Sequence, residues 1–118
     1  MNTTRIKYNA GSMTAEAFVA YKDSLENKPV VIVSHDWTGR NEFACEKAKK
    51  LAELGYVGFA LDMFGNAQLG ETKEEKSAMI QPLVDDRGEL LKRMTAAVET
   101  AQKMTKANLN QLAAIGFC

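Results

Sequence analysis

Two apolar periods divide the chain. Near the N-terminus the period is two. Residues 5–9 carry Ile6 and Tyr8 on one face. Met13, Ala15, Ala17, Val19 and Tyr21 then alternate with Thr14, Glu16, Phe18 and Ala20. Gly11-Ser12 between these runs is a turn signal, so together they predict an antiparallel hairpin at the edge of a larger sheet. Further on, alternation gives way to continuous apolar runs, Val30 to Ser34 and residues 56–61. Such strands are buried on both faces, the mark of a parallel sheet covered by helices. Pro29 is tolerated at the start of the first run, where its missing N–H falls before the ladder.

Between the strands the period becomes helical. Asn41 suits an N-cap and Glu42 complements the helix dipole. Ala44, Ala48, Leu51 and Ala52 then form one stripe, and Gly55 is placed to end the helix after Leu54. Residues 73–80 predict a short charged helix, with Pro82 as an interruption. A long helix is predicted over 84–106 from the stripe Arg87, Leu90, Leu91, Met94, Ala97, Val98, Ala101 and Met104. Residues 112–117 form the last strand. The order is hairpin, strand, helix, strand, helices, strand. It predicts an α/β fold in one domain, an edge hairpin plus parallel strands with helices on both faces.

Composition narrows the function classes. The chain has 118 residues, 46% hydrophobic and 25% charged, with 15 basic and 15 acidic side chains. A zero net charge without a basic stripe argues against nucleic acid and an anionic membrane surface as partners. No stretch approaches the roughly 18 apolar residues of a membrane span, and the first residues lack an apolar signal core, so a cytoplasmic location is expected. Cys45 and Cys118 form no metal-spacing motif, and no metal or cofactor is expected.

Candidate chemistry gathers after three predicted strands, at their carboxyl ends, where open α/β sheets bind ligands. These segments are His35 to Arg40, Asp62 to Gly65, and Gly116 to Cys118. Gly116-Phe117-Cys118 is the first half of a strand-to-helix turn that presents a nucleophile. Cys118 is thus a candidate thiol nucleophile, against the plainer reading of a small residue ending a strand. His35 precedes Cys118, although in this type of site the histidine follows the nucleophile, so a hydrogen-bonded loop histidine is the better reading. Trp37 can offer a backbone N–H to an oxyanion and its indole can wall a pocket. Asp36 and Asp62 suit loop-capping carboxylates. His35, Arg40 and Arg87 are further candidates for contacting substrate, with solvated or pairing roles as the plain alternative for the arginines.

Three stretches together resemble the dienelactone hydrolase family, the cysteine-nucleophile branch of the α/β-hydrolase fold. They are residues 31–42 (VIVSHDWTGRNE), residues 48–65 (AKKLAELGYVGFALDMFG), and residues 113–118 (AAIGFC). The resemblance implies the N-terminal half of an α/β-hydrolase domain that cleaves small esters or lactones without a cofactor. It implies Cys118 as nucleophile forming a thioester, Trp37 as the first oxyanion donor through its N–H, and Asp36 at an acidic position, often Glu, that contacts the resting nucleophile. The triad Asp and His are then expected beyond residue 118, and the last strand is expected to have a neighbour on each side. The alternative is a non-catalytic binding or regulatory module, or a redox-sensing thiol protein. Monomer and dimer both remain open.

Overall fold

A computed structural model of the protein describes residues 1–106 and 109–117. Five strands make one mixed sheet in the order β1-β2-β4-β3-β5. They are β1 (Asn2–Ala10), β2 (Met13–Tyr21), β3 (Val30–Ser34), β4 (Val57–Ala60) and β5 (Leu112–Gly116). β1 and β2 are the hairpin, with Ile6 opposite Ala17 and Tyr8 opposite Ala15. β2 pairs antiparallel with β4, while β3 pairs parallel with both β4 and β5. The two continuous apolar runs therefore occupy the centre of the sheet, where both faces are covered.

Helix α1 (Glu42–Glu53) covers one face with Ala44, Ala48 and Ala52. The Asn41 side chain accepts the Ala44 N–H and starts this helix. Small residues allow a close approach here, and Gly58 on β4 makes it possible. A Cβ at Gly58 would lie 2.2 Å from the Ala48 carbonyl oxygen. The other face packs Val19, Ile32, Val57 and Phe59 against Leu83, Ala97 and Ala101 of α2 (Lys73–Asp85) and α3 (Arg87–Thr105).

Two helix boundaries differ from the sequence expectation. Helix α2 runs through Pro82 to Asp85 instead of ending near Ile80. Pro82 and Ala78, whose carbonyl loses its helical donor, are both exposed, so solvent can satisfy the freed acceptor. The break comes at Asp86, whose carboxylate accepts the Glu89 N–H and caps α3. Helix α3 also buries a narrower stripe than expected. Ala97, Ala101 and Thr105 are buried, whereas Leu91 is 66% exposed and Arg87 faces solvent.

Among the described residues β5 has one neighbour, β3, and Ala113 to Gly116 are exposed.

Candidate active site

The sheet brings the carboxyl ends of β3, β4 and β5 to one edge. After β3 the chain turns at Asp36, whose Oδ1 accepts the Thr38 N–H at 2.8 Å. Gly39 follows with φ +106°, and a Cβ there would lie 2.4 Å from the Gln68 carbonyl oxygen. The Gly70 N–H donates to the Thr38 carbonyl at 2.9 Å. The β3 loop is thus docked on the loop after β4, and Gly39 is what permits the contact.

His35 ties the same loops together. Its Nε2 accepts the Met63 N–H at 3.0 Å, and its Nδ1 lies 2.7 Å from the Asp36 carbonyl oxygen. A carbonyl can only accept, so Nδ1 carries the proton and Nε2 is the acceptor. Both ring nitrogens are occupied, and the ring packs on Phe64 at 5.0 Å between centroids. Burial pushes the imidazole below its ordinary pKa, opposed by the Asp36 carbonyl and by the charges of Asp62 and Asp36. This histidine is neutral and has no free lone pair for general-base work.

Asp62 is fully buried. Its Oδ1 accepts the Phe64 and Gly65 N–H groups, and its Oδ2 accepts those of Glu16 and Ala67, all within 3.1 Å. Four backbone donors satisfy one carboxylate, which folds the β4 loop and staples it to β2.

Two arginines hold the surroundings. Arg40 is buried, with Nε on the Glu16 carbonyl, Nη2 on the Glu16 carboxylate and Nη1 3.2 Å from the Cys45 sulfur. Its guanidinium is committed to β2 and α1, the pairing role that stood as the plain alternative to contacting substrate. Arg93, which sequence reasoning passed over, donates Nη1 to the Met63 carbonyl at 2.8 Å and Nε to Glu89 at 2.7 Å. The Glu89 carboxylate also accepts the Ser12 N–H and hydroxyl. The Ser12 N–H and then Arg93 hold its carboxyl down at about 2. The i, i+4 spacing of Glu89 and Arg93 was the one available signal; their docking on the hairpin turn had none.

A cavity of about 250 Å³ opens beside this frame, lined by Ser34, His35, Asp36, Trp37, Met63, Phe64, Ile80, Leu83, Leu90 and Met94. Trp37 is 40% exposed on its rim, with Lys76 Nζ 5.7 Å from the indole centroid. No acceptor among the described residues takes the Trp37 backbone N–H. Arg87 does not line this cavity. It borders a neighbouring depression with Ile80, Leu83, Val84 and Leu90. Beyond β5, the Phe117 N–H donates to the Ser34 carbonyl at 3.1 Å, and its ring meets Phe43 edge-on. Cys118 lies outside the described residues. Among those described, no three His, Cys, Asp or Glu side chains group as a metal site.

The sequence profile of the dienelactone hydrolase family matches residues 15–118. The chain belongs to this family. Solved structures agree with the assignment. A dienelactone hydrolase-like promiscuous phosphotriesterase, P91, from metagenomic libraries is 29% identical, with a TM-score of 0.90 over 99% of this chain and 49% of its own. The structure called m3DLH gives the same identity, coverage and TM-score. A putative dienelactone hydrolase from Klebsiella pneumoniae subsp. pneumoniae MGH 78578, at 18% identity and a TM-score of 0.81, shares the fold over 99% of this chain and 50% of its own. The chain therefore spans about half the length of these family structures. No curated protein matches it. Family membership gives the chain the α/β-hydrolase fold of these relatives. No helix among the described residues is long and apolar enough to cross a membrane.

Proposed function

We propose that the protein hydrolyses small carboxylic esters or lactones with Cys118 as nucleophile. The thiolate attacks the acyl carbon, the alcohol leaves with a proton, and a thioester forms; water then releases the acid and regenerates the thiol. His35 has both ring nitrogens occupied, so the general base that the thiol requires is a residue other than this one. One observation carries the reading: the hydrogen bond from Phe117 to Ser34 ties the residue before the candidate nucleophile to the strand that leads into Trp37. Trp37 then supplies its N–H to the oxyanion, a contribution worth about 3 kcal/mol at the transition state. Asp36 has Oδ1 engaged by its own loop, and its Oδ2, which takes no donor among the described residues, is the atom for the resting thiol.

The test is hydrolysis of p-nitrophenyl acetate and butyrate by the protein and its Cys118→Ala variant. The expected loss is on the order of 10⁶-fold in kcat, as for removal of a serine nucleophile. Trapping of a thioester by mass spectrometry should accompany turnover. Undiminished activity in the alanine variant would refute the assignment. The phosphotriesterase activity of the P91 relative makes a neutral p-nitrophenyl phosphotriester a second substrate to assay.

A further inference from the structure

The cavity beside Trp37 says which part of a substrate it takes. Seven of its lining side chains, Trp37, Met63, Phe64, Ile80, Leu83, Leu90 and Met94, are apolar or aromatic. The polar ones are unsuited to an anion. His35 is held neutral, with Nε2 already an acceptor for Met63. Asp36 is the one charged lining residue, and it is negative. Arg93 is clamped between Glu89 and the Met63 carbonyl, and Lys76 stands over the indole of Trp37 at the rim, outside the lining residues. A carboxylate entering this space would lose its hydration, find no cationic partner among the lining residues and face Asp36.

We propose that this cavity is the subsite for an uncharged, apolar acyl group of a neutral ester, excluding substrates that carry a carboxylate on that group. The proposal rests on the hydrolase reading only in calling the occupant an acyl group; the binding preference stands on the cavity itself. Its size sets the length. At ~30 Å³ per water-sized group, 250 Å³ accommodates about eight non-hydrogen atoms. Affinity should therefore rise by about fourfold per methylene, following the usual gain per buried CH₂. It should level off near a hexanoyl chain or a phenyl ring. Leu83, almost fully buried, is among its lining residues.

The protein carries its own reporter, since Trp37 is its single tryptophan and lies on the cavity rim. The experiment titrates indole fluorescence with methyl alkyl ketones of four to ten carbons, uncleavable analogues of neutral esters, and with the matching ω-keto acids. The ketones should saturate the signal with affinity rising to a plateau, and the keto acids should bind at least tenfold more weakly at neutral pH. Ile80→Lys, at a half-buried position, should reverse this order, a gain that misfolding cannot produce. Equal or tighter binding of the keto acids by the unaltered protein, through Arg87 or otherwise, overturns the proposal. So does the absence of a saturable change with any ketone, or an unchanged preference in a folded Ile80→Lys protein. Ketone binding with unaltered ester turnover in Cys118→Ala would sink the nucleophile assignment and leave the subsite standing.

Discussion

The loops after β3 and β4 leave the same edge of the sheet and are built in opposite ways. The β4 loop is organised by a buried carboxylate, Asp62, with four backbone donors around it. The β3 loop carries Asp36 and Trp37, both exposed, and among the described residues the Asp36 carboxylate accepts one hydrogen bond, from the Thr38 backbone N–H. One aspartate is saturated and the other has capacity to spare. A carboxylate used for structure is recognised by how completely its lone pairs are taken; one available for chemistry keeps an accessible oxygen. His35 joins the two loops, and its occupied nitrogens put it with the frame.

The sharpest break of that contrast is Asp62→Ala. It orphans the N–H groups of Glu16, Phe64, Gly65 and Ala67 in or beside the core. At about 1–3 kcal/mol for each buried donor left unpaired, a loss of about 4 kcal/mol or more is expected. Urea unfolding should show this, and the Met63–Gly65 segment should lose hydrogen-exchange protection. A loss below about 1 kcal/mol would mean that the carboxylate does not hold the loop.

A second break separates α1 from the sheet without touching either loop. Gly58→Ala sets a Cβ against the Ala48 backbone, which a helix can relieve only by moving outward. Overpacking of this kind is expected to cost about 2 kcal/mol, read as a lower urea midpoint at unchanged slope. Gly55→Ala is the control for local space, because a Cβ there meets nothing within 4 Å and any loss comes from its φ of +97°.

Acid should sharpen the comparison. His35 is held neutral by burial, so its folded pKa lies below the unfolded value. The unfolded chain then binds more protons between the two values, and stability falls as pH drops from about 6.5 toward the folded pKa. Glu89 acts lower on the scale. Its stabilising contribution is complete above its ordinary value of 4.5 and is lost as pH falls toward about 2. Thermal unfolding from pH 8 to pH 3 should show the first decline disappear in His35→Gln and the second in Glu89→Gln. Persistence of the first decline in His35→Gln would assign it to another group.

The architecture was legible because the two apolar periods are long and unmixed. Val30 to Val33 has no polar residue to turn outward, so a central strand follows directly. The helix breaks were less legible: Pro82 outweighs its neighbours in a sequence reading, yet an exposed freed carbonyl makes it tolerable inside α2. At the site, the loop positions and the plain reading of His35 followed from chain order. The commitment of Arg40 did not, because it depends on a contact with Glu16, 24 residues away. Nor did the path from Ser12 through Glu89 and Arg93 to Met63, whose ends lie 51 positions apart and meet only in the folded sheet.

The mildest substitution bears most directly on chemistry. Asp36→Ala removes one exposed hydrogen bond, to the Thr38 N–H, and should change stability by less than about 1 kcal/mol. If its free oxygen accepts a hydrogen bond from the resting Cys118 thiol, the carboxylate favours the protonated thiol, and removing it raises the thiolate fraction. Alkylation of Cys118 by iodoacetamide near pH 7 should then speed up several-fold in Asp36→Ala. Cys45, half-buried beside Arg40, should react at its original rate and serves as the internal reference. Peptide mass spectrometry resolves the two sites in one reaction. Equal acceleration at both would point to general loosening of the fold, and no acceleration at Cys118 would leave Asp36 as a cap for its own loop.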